Sequence, residues 1–339
     1  MLKECLKVKK EDTQKKIVEL KEKNNIDSNY IIKKGNRYCY IPIKDKQKLT
    51  TKQKQVTIKK EVKKQKKQNK NFKEILEKKI PKNILDKINQ SYDIVGDIVI
   101  LGIKDGCEKY YENIGKAIKQ VHPQIKSILN KKEHHGVFRT QFLDFVYGED
   151  RRETIVKENN VRIKTDVENV FCSTRLSSER KRISKLVKKN EDVCVFFAGA
   201  GPFCLCVGKN TFAKSVYGFE LNPIAINYFK ENIKLNKLEN KVFCVFGDVS
   251  LIYKNYKEKF DRIVMPHPTC SEEFIKEALY CLKDKGTIHF YKFVSKEKPF
   301  EEAEKILKKY SNIKIENKKI VCSYSPSVVE VVYDLKIRK

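Results

Sequence analysis

Gly199 and Gly201 close the apolar run Asp192-Val-Cys-Val-Phe-Phe-Ala-Gly-Ala-Gly-Pro-Phe203, and an acid, Glu220, follows about twenty residues later. That spacing suits a nucleoside ligand. Closely spaced glycines let a backbone turn tightly and pass near a bound molecule, while a carboxylate at the end of the next strand can accept both hydroxyls of a ribose. The full G-x-G-x-x-G run of a dinucleotide site is absent, and Asn222-Pro223 comes almost directly after the acid. Two consecutive βα units therefore share one small ligand, with Ala198, Gly199, Gly201 and Phe203 in its loop.

Strands must carry these residues to a common edge. Ser215–Glu220 reads as the second strand; Asn222 then caps and Pro223 opens a helix whose Ile224, Tyr228 and Ile233 supply an apolar face. Residues 242–249 read as a third strand with Asp248 at its carboxyl end. Phe260–Met265 reads as a fourth, delivering Pro266, His267 and Pro268 to the edge where ligands of open α/β sheets bind. Further strands at 286–293, which includes His289, and at Val328–Ile337 complete an alternation of strands and helices. It predicts an α/β, doubly wound, Rossmann-like domain over residues 169–339.

Two smaller αβ modules are expected upstream. Residues 1–50 combine a strand-like Cys5-Leu-Lys-Val8, an amphipathic helix through Ile17, Val18 and Leu20, and a hairpin turning at Gly35-Asn36. Residues 51–70 are rich in Lys and Gln and read as a basic linker, whose phosphate contacts would be salt-sensitive and carry little sequence information. Residues 71–168 begin with a helix through Phe72, Ile75 and Leu76 and continue with a single strand from Asp93 to Leu101. His134 and His135 are expected in a Lys-rich turn as solvated residues, since no third metal ligand stands nearby.

The 339 residues carry 73 Lys and Arg against 44 Asp and Glu, a formal charge of +29 that suits a polyanion, nucleic acid foremost. A bias toward Lys raises charge without creating a site, so charge alone assigns none. The 11 cysteines are scattered and form no C-x-x-C pair, which predicts buried thiols in a reducing compartment and no structural metal. No run approaches the roughly 18 apolar residues of a membrane span. Glu4, Glu11 and Asp12 among the first lysines argue against a signal peptide or an acid-poor transit peptide. The expected compartment is the cytoplasm, with nucleus and organelles left open, and the expected state is a monomer.

Several motifs resemble those of the tRNA (guanine-N1)-methyltransferases that act at position 37 of the anticodon loop. They are Ser173-Thr-Arg-Leu-Ser-Ser-Glu-Arg180, Ala198-Gly-Ala-Gly-Pro-Phe203, Glu220-Leu-Asn-Pro223 and Asn232-Ile-Lys-Leu-Asn-Lys237. The resemblance covers nearly the whole chain, from Leu6-Lys-Val-Lys-Lys10 and Tyr40-Ile-Pro42 through Val95-Gly-Asp-Ile-Val-Ile-Leu101 to Ser323-Tyr-Ser-Pro326. It implies a class I methyltransferase domain, S-adenosylmethionine as cofactor and tRNA as partner. Residues 1–50 would then contact the tRNA body away from the anticodon.

The same resemblance implies roles. Glu179 becomes the general base for the guanine N1 proton, and Arg139 stabilises charge on O6 through its planar fork. Arg180 serves the methionyl carboxylate, Glu220 the ribose, and Leu221, Asp248 and Val249 the adenosine, with Pro266 at the cofactor edge. Arg175, His267 and Pro268 fall on the guanine side. Ordinary structural readings stand beside these: a Glu in a first helical turn favours the helix dipole, Asp248 can cap a helix, and an Arg can pair with an acid.

Three residues depart from the family pattern. Phe196 stands where an acid usually precedes the glycine loop, Phe171 where Tyr is frequent, and Pro266-His-Pro268 where Asn-Leu-Pro is expected. The last removes an amide that helps hold the guanine edge. Two alternatives remain: a related wybutosine-pathway aminocarboxypropyltransferase, and a tRNA-binding protein whose catalytic site has decayed.

Overall fold

Alternating apolar positions in β1 (Leu2–Lys9) bury Leu6 and Val8 against Leu20 of α1 (Thr13–Glu22) and Ile41 of β3 (Tyr38–Pro42). With β2 (Lys33–Lys34) and β4 (Thr57–Glu61) these strands form a sheet of order β2-β3-β1-β4. The computed structural model describes residues 2–51, 53, 56–61, 71–135 and 140–338. Part of the stretch read as a linker is therefore a strand: β4 runs antiparallel to β1, with Leu6 opposite Thr57. An edge strand with one face in water accommodates lysines, so charge concealed the pairing. Met1–Asn71 is one compact unit and Phe72–Lys339 another.

The second unit starts with α2 (Phe72–Leu76) and α3 (Lys82–Leu85), then a sheet β5-β6-β7-β8 built from Ile88–Val95, Ile98–Ile103, Ser127–His135 and Thr140–Gly148. Helix α4 (Tyr111–Val121) crosses between the parallel strands β6 and β7. The single strand expected from Asp93 to Leu101 is in fact two antiparallel strands turned at Gly96, whose φ is +59°. A side chain there would strain the left-handed backbone and collide with Thr154 Oγ1, 2.1 Å from an added Cβ. His134 and His135, expected in a turn, continue β7 opposite Gln141 and Thr140. Backbone pairing extends that strand regardless of its lysines.

The third part is a seven-stranded sheet of β11 (Asp192–Phe196), β12 (Ser215–Glu220), β13 (Val242–Phe246), β14 (Phe260–Met265), β15 (Leu282–Ser295), β16 (Ile313–Ser323) and β17 (Val328–Ile337). Its order is β13-β12-β11-β14-β15-β17-β16, with the first five parallel and β17 antiparallel to both neighbours. Val193 and Val195 face one core with α5 (Ser177–Leu186), α6 (Pro202–Asn210) and α7 (Pro223–Leu235). Cys194 and Phe196 face the other with α8 (Val249–Ile252), α9 (Ile275–Cys281) and α10 (Glu301–Leu307). This is the expected doubly wound sheet. A strand buried on both faces reads as a continuous apolar run, as β11 does.

A hairpin, β9 (Glu153–Glu158) and β10 (Val161–Asp166), is seated on α7 by two asparagine side chains one helical turn apart. Asn232 accepts from Lys164 N–H at 2.7 Å and donates to Lys164 C=O at 2.8 Å. Asn236 does the same for Arg162, at 2.9 and 2.7 Å. Both amides imitate a neighbouring strand, satisfying an edge that would otherwise be left open. Residues 153–166, expected to belong to the preceding module, thus pack on the seven-stranded domain. Their partners lie about seventy residues further on, where local pattern gives no hint.

Candidate active site

Three left-handed residues turn the chain out of β11: Phe197 (φ +60°), Gly199 (+58°) and Gly201 (+85°). Gly201 is required by packing, because an added Cβ would lie 2.2 Å from the Phe229 ring. Gly199 instead turns its N–H to Glu220, donating to Oε2 at 2.6 Å, while Leu221 and Asn222 N–H donate to Oε1 at 2.9 and 2.7 Å. Burial raises the Glu220 carboxyl above the usual range, and these three backbone donors offset part of that rise. Asn222 also caps α7 through its own Oδ1. The acid at the end of β12 is thereby fixed in orientation before any ligand arrives.

Glu220 lines a cavity of about 340 Å³ at the carboxyl edge of the sheet, together with Ala198, Gly199 and Phe203 of the loop. Leu221, Asp248, Val249, Pro266 and His267 complete it from the ends of β12, β13 and β14. Asp248 spends Oδ1 on capping α8, accepting from Ser250 N–H at 2.8 Å. His267 Nδ1 lies 2.9 Å from Thr269 Oγ1. Arg180 enters from α5, 2% exposed, and its guanidinium is gripped by Glu158 of β9, with Nη2 donating to Glu158 Oε2 at 2.7 Å and to Ser173 C=O at 3.0 Å. The guanidinium also lies over the Phe203 ring, 5.7 Å from its centre.

A larger cavity of about 590 Å³ adjoins the first, lined by strands β5 to β8 on one side and the seven-stranded domain on the other. Arg175 lines it, held by Asp93 through Nη2 at 2.7 Å, and so does Pro268. Phe171, Ser173 and Pro266 line both cavities. A group seated in one therefore faces the other across a common wall. Arg139 lies outside the described residues.

Glu179 lines neither cavity. Its carboxylate is 1% exposed, accepts from Arg182 on both oxygens at 2.9 and 2.7 Å and from Tyr291 Oη at 2.7 Å. Arg182 continues to Asp334 at 2.7 Å, and Asp334 to His289 Nδ1 at 2.6 Å. His289 Nε2 is 2.7 Å from Arg262 Nη1, and Arg262 closes the chain on Glu191. Guanidinium cannot accept, so His289 accepts there through Nε2 and donates from Nδ1. Burial lowers the His289 pKa, keeping the ring neutral, while Arg182 and His289 hold the buried Asp334 carboxyl well below the carboxylate range.

Sequence reasoning missed three contributors. Glu158 has no motif; it becomes visible only once Asn232 and Asn236 seat its hairpin. Asn232 also donates to Ala200 C=O at 3.0 Å, so one side chain ties the hairpin to the glycine loop. Phe197, rather than Phe196, meets the cavity, edge-on to His267 at 5.2 Å and to Phe274 at 5.0 Å. Phe196 is buried beneath, stacked on Phe219. The end of β11 was the available signal, because the first residue past a strand is the first to reach the sheet edge. Among the described residues no cluster of His, Cys, Asp and Glu is arranged to hold a metal, and no helix is long and apolar enough to cross a membrane.

The strand order, the antiparallel β17 and the nucleoside-sized cavity at the carboxyl edge define a class I S-adenosylmethionine-dependent methyltransferase fold. Residues 154–318 match the TRM5/TYW2 methyltransferase domain, residues 72–151 the TYW2 N-terminal domain and residues 5–48 the tRNA methyltransferase 5 N-terminal domain. The chain is 37% identical to the tRNA (guanine(37)-N(1))-methyltransferase Trm5b of Methanocaldococcus jannaschii, over 99% of each chain. It is 30% identical to the tRNA(Phe) (4-demethylwyosine(37)-C(7)) aminocarboxypropyltransferase of Pyrococcus horikoshii, over 79% of this chain and 96% of that one. A solved complex of aTrm5 and tRNALeu superposes with a TM-score of 0.72 at 36% identity, covering 98% of this chain and 99% of that one. M. jannaschii TYW2 in complex with AdoMet gives 0.57 at 29%, covering 74% and 100%. This chain belongs to the TRM5/TYW2 methyltransferase family.

Proposed function

We propose that the protein transfers the methyl group of S-adenosylmethionine to N1 of guanosine 37 in the tRNA anticodon loop. The observation that carries this reading is the pair of cavities meeting at Phe171, Ser173 and Pro266: a nucleoside-shaped one against a larger one that Arg175, Lys131 and Lys132 also line. Similarity along 99% of both chains to an enzyme named for guanine N1 favours methyl over aminocarboxypropyl transfer. The relative named for the latter transfer matches only 79% of this chain.

The residues present fit the cofactor. Glu220 retains lone pairs beyond its three backbone donors for the ribose hydroxyls, and Leu221 and Val249 offer apolar walls for adenine. Arg180 is held at the cavity wall by Glu158, and its Nη1 makes no hydrogen bond among the described residues, so it suits a carboxylate. When bound, S-adenosylmethionine supplies a methyl on a good sulfonium leaving group. The protein must then remove the N1 proton, stabilise charge on O6 and hold the guanine in line. Arg139 is assigned the O6 charge and Arg175 the guanine side. For Glu179 to take the proton, its carboxylate must exchange a present partner for N1–H, and Tyr291 Oη, a neutral donor, is a weaker partner than Arg182.

The test is single-turnover reaction of the purified protein with a G37 tRNA transcript and S-adenosylmethionine, followed by mass analysis of the nucleosides. N1-methylguanosine at position 37 is expected. A much heavier adduct there would assign aminocarboxypropyl transfer, and cofactor binding without product would assign a decayed enzyme.

A further inference from the structure

The proline at 266 leaves the larger cavity without the amide that the resemblance places at the guanine edge, and the cavity wall contains an unexpected acid. Glu330 is 5% exposed and lines the cavity from β17. Its register neighbours, Phe293 on β15 and Cys322 on β16, line the same cavity. The strand around it, Val328-Val-Glu-Val-Val332, is otherwise valine. Burying a carboxylate in such a strand is costly, and that cost is ordinarily met where the group has a partner to bind. Asp334, on the same face of β17, meets it with Arg182, His289 and Asn317. Glu330 Oε2 accepts from the Cys322 thiol at 3.5 Å. Burial and the adjoining Glu330 carboxylate push that thiol up to about 11, so Cys322 remains a protonated donor near neutral pH.

Guanine differs from hypoxanthine and adenine by the amino group at C2, a donor next to the N1 that is methylated. A base presenting N1 to the shared wall at Pro266 places that amine beside the acceptors of the same cavity. Asp93, another carboxylate there, is half-exposed and committed to Arg175, whereas Glu330 is a buried acceptor. We infer that Glu330 is a specificity residue, whose carboxylate accepts from the C2 amine of the target guanine and fills the place left by the amide absent at position 266. The inference rests on the N1-methylation reading.

Single-turnover kcat/KM for tRNA transcripts bearing guanosine or inosine at position 37 tests it, because inosine lacks only that amine. The wild-type protein should favour guanosine by about 10- to 100-fold, the size expected of one hydrogen bond to a charged acceptor. Glu330→Val, which suits a valine-rich strand, should lower the guanosine value by about the same factor and leave the inosine value unchanged, bringing the ratio near one. Glu330→Gln, which keeps the shape and one neutral acceptor, should give an intermediate ratio. A wild-type ratio retained in the valine variant, or in the glutamine variant should the valine variant fail to fold, overturns the inference alone. No product from the wild-type protein overturns the N1-methylation reading and the inference with it.

Discussion

Glu220 and Glu179 are both carboxylates in one domain, and each is held by three or more hydrogen bonds, yet their surroundings give them opposite characters. Glu220 is held only by backbone N–H groups at a sheet edge, and it opens onto a cavity. Glu179 is held by charged and phenolic side chains inside the domain, at one end of a chain of alternating charges that runs through Arg182, Asp334, His289 and Arg262 to Glu191. Backbone donors orient an acid without consuming its charge. Side-chain cations neutralise it, and removing either partner leaves the other buried and uncompensated.

That contrast is most easily broken at Glu179. Glu179→Ala should cost about 3 to 5 kcal/mol of stability, read from denaturant unfolding, because Arg182 loses a buried counter-charge. An unchanged unfolding midpoint would show that the chain of charges is not holding the domain. Glu179→Gln, which keeps the volume and much of the Tyr291 contact, should slow single-turnover methylation at neutral pH while cofactor and tRNA binding persist. Its defect should narrow as pH rises and guanine loses its proton unaided. A wild-type rate at neutral pH would remove Glu179 from the proton transfer.

Glu220→Ala should weaken S-adenosylmethionine binding about 10- to 100-fold, measured by calorimetry, and leave tRNA affinity and folding nearly intact. Loss of stability comparable to that of Glu179→Ala would erase the distinction between the two acids. A smaller effect is expected from His289. Its folded pKa lies below its ordinary 6.5, so the unfolded chain takes up a proton first. Stability should therefore be complete above pH 6.5 and fall below it, by at most about 1.4 kcal/mol per pH unit for this one group. In His289→Gln the decline in that window should be shallower by this amount, and an identical slope would show that the ring is charged in the folded state.

The doubly wound sheet was legible because a strand buried on both faces, such as Asp192–Phe196, needs a continuous apolar run, and because Gly201, Asn222 and Pro223 each carry a local backbone signature. Spacing alone brought Glu220 to the right edge. Two-residue turns and edge strands were harder: Gly96 breaks one apolar run into two strands, and the lysines of Thr57–Glu61 masked a pairing made by backbone.

By itself, then, the sequence determined the strand order's raw material, the glycine turn and the acid that follows it, since those depend on near neighbours and on periodic burial. Only the tertiary structure decided that Asn232 and Asn236 seat the hairpin, that the hairpin brings Glu158 to Arg180, and that Glu179 is locked to Arg182 and Tyr291. It also placed Glu330 in the wall of the larger cavity. Each of these joins side chains far apart along the chain. A side chain's partner, not its type, sets whether a buried charge binds a ligand or holds a fold, and partners that distant leave no periodic trace in the sequence.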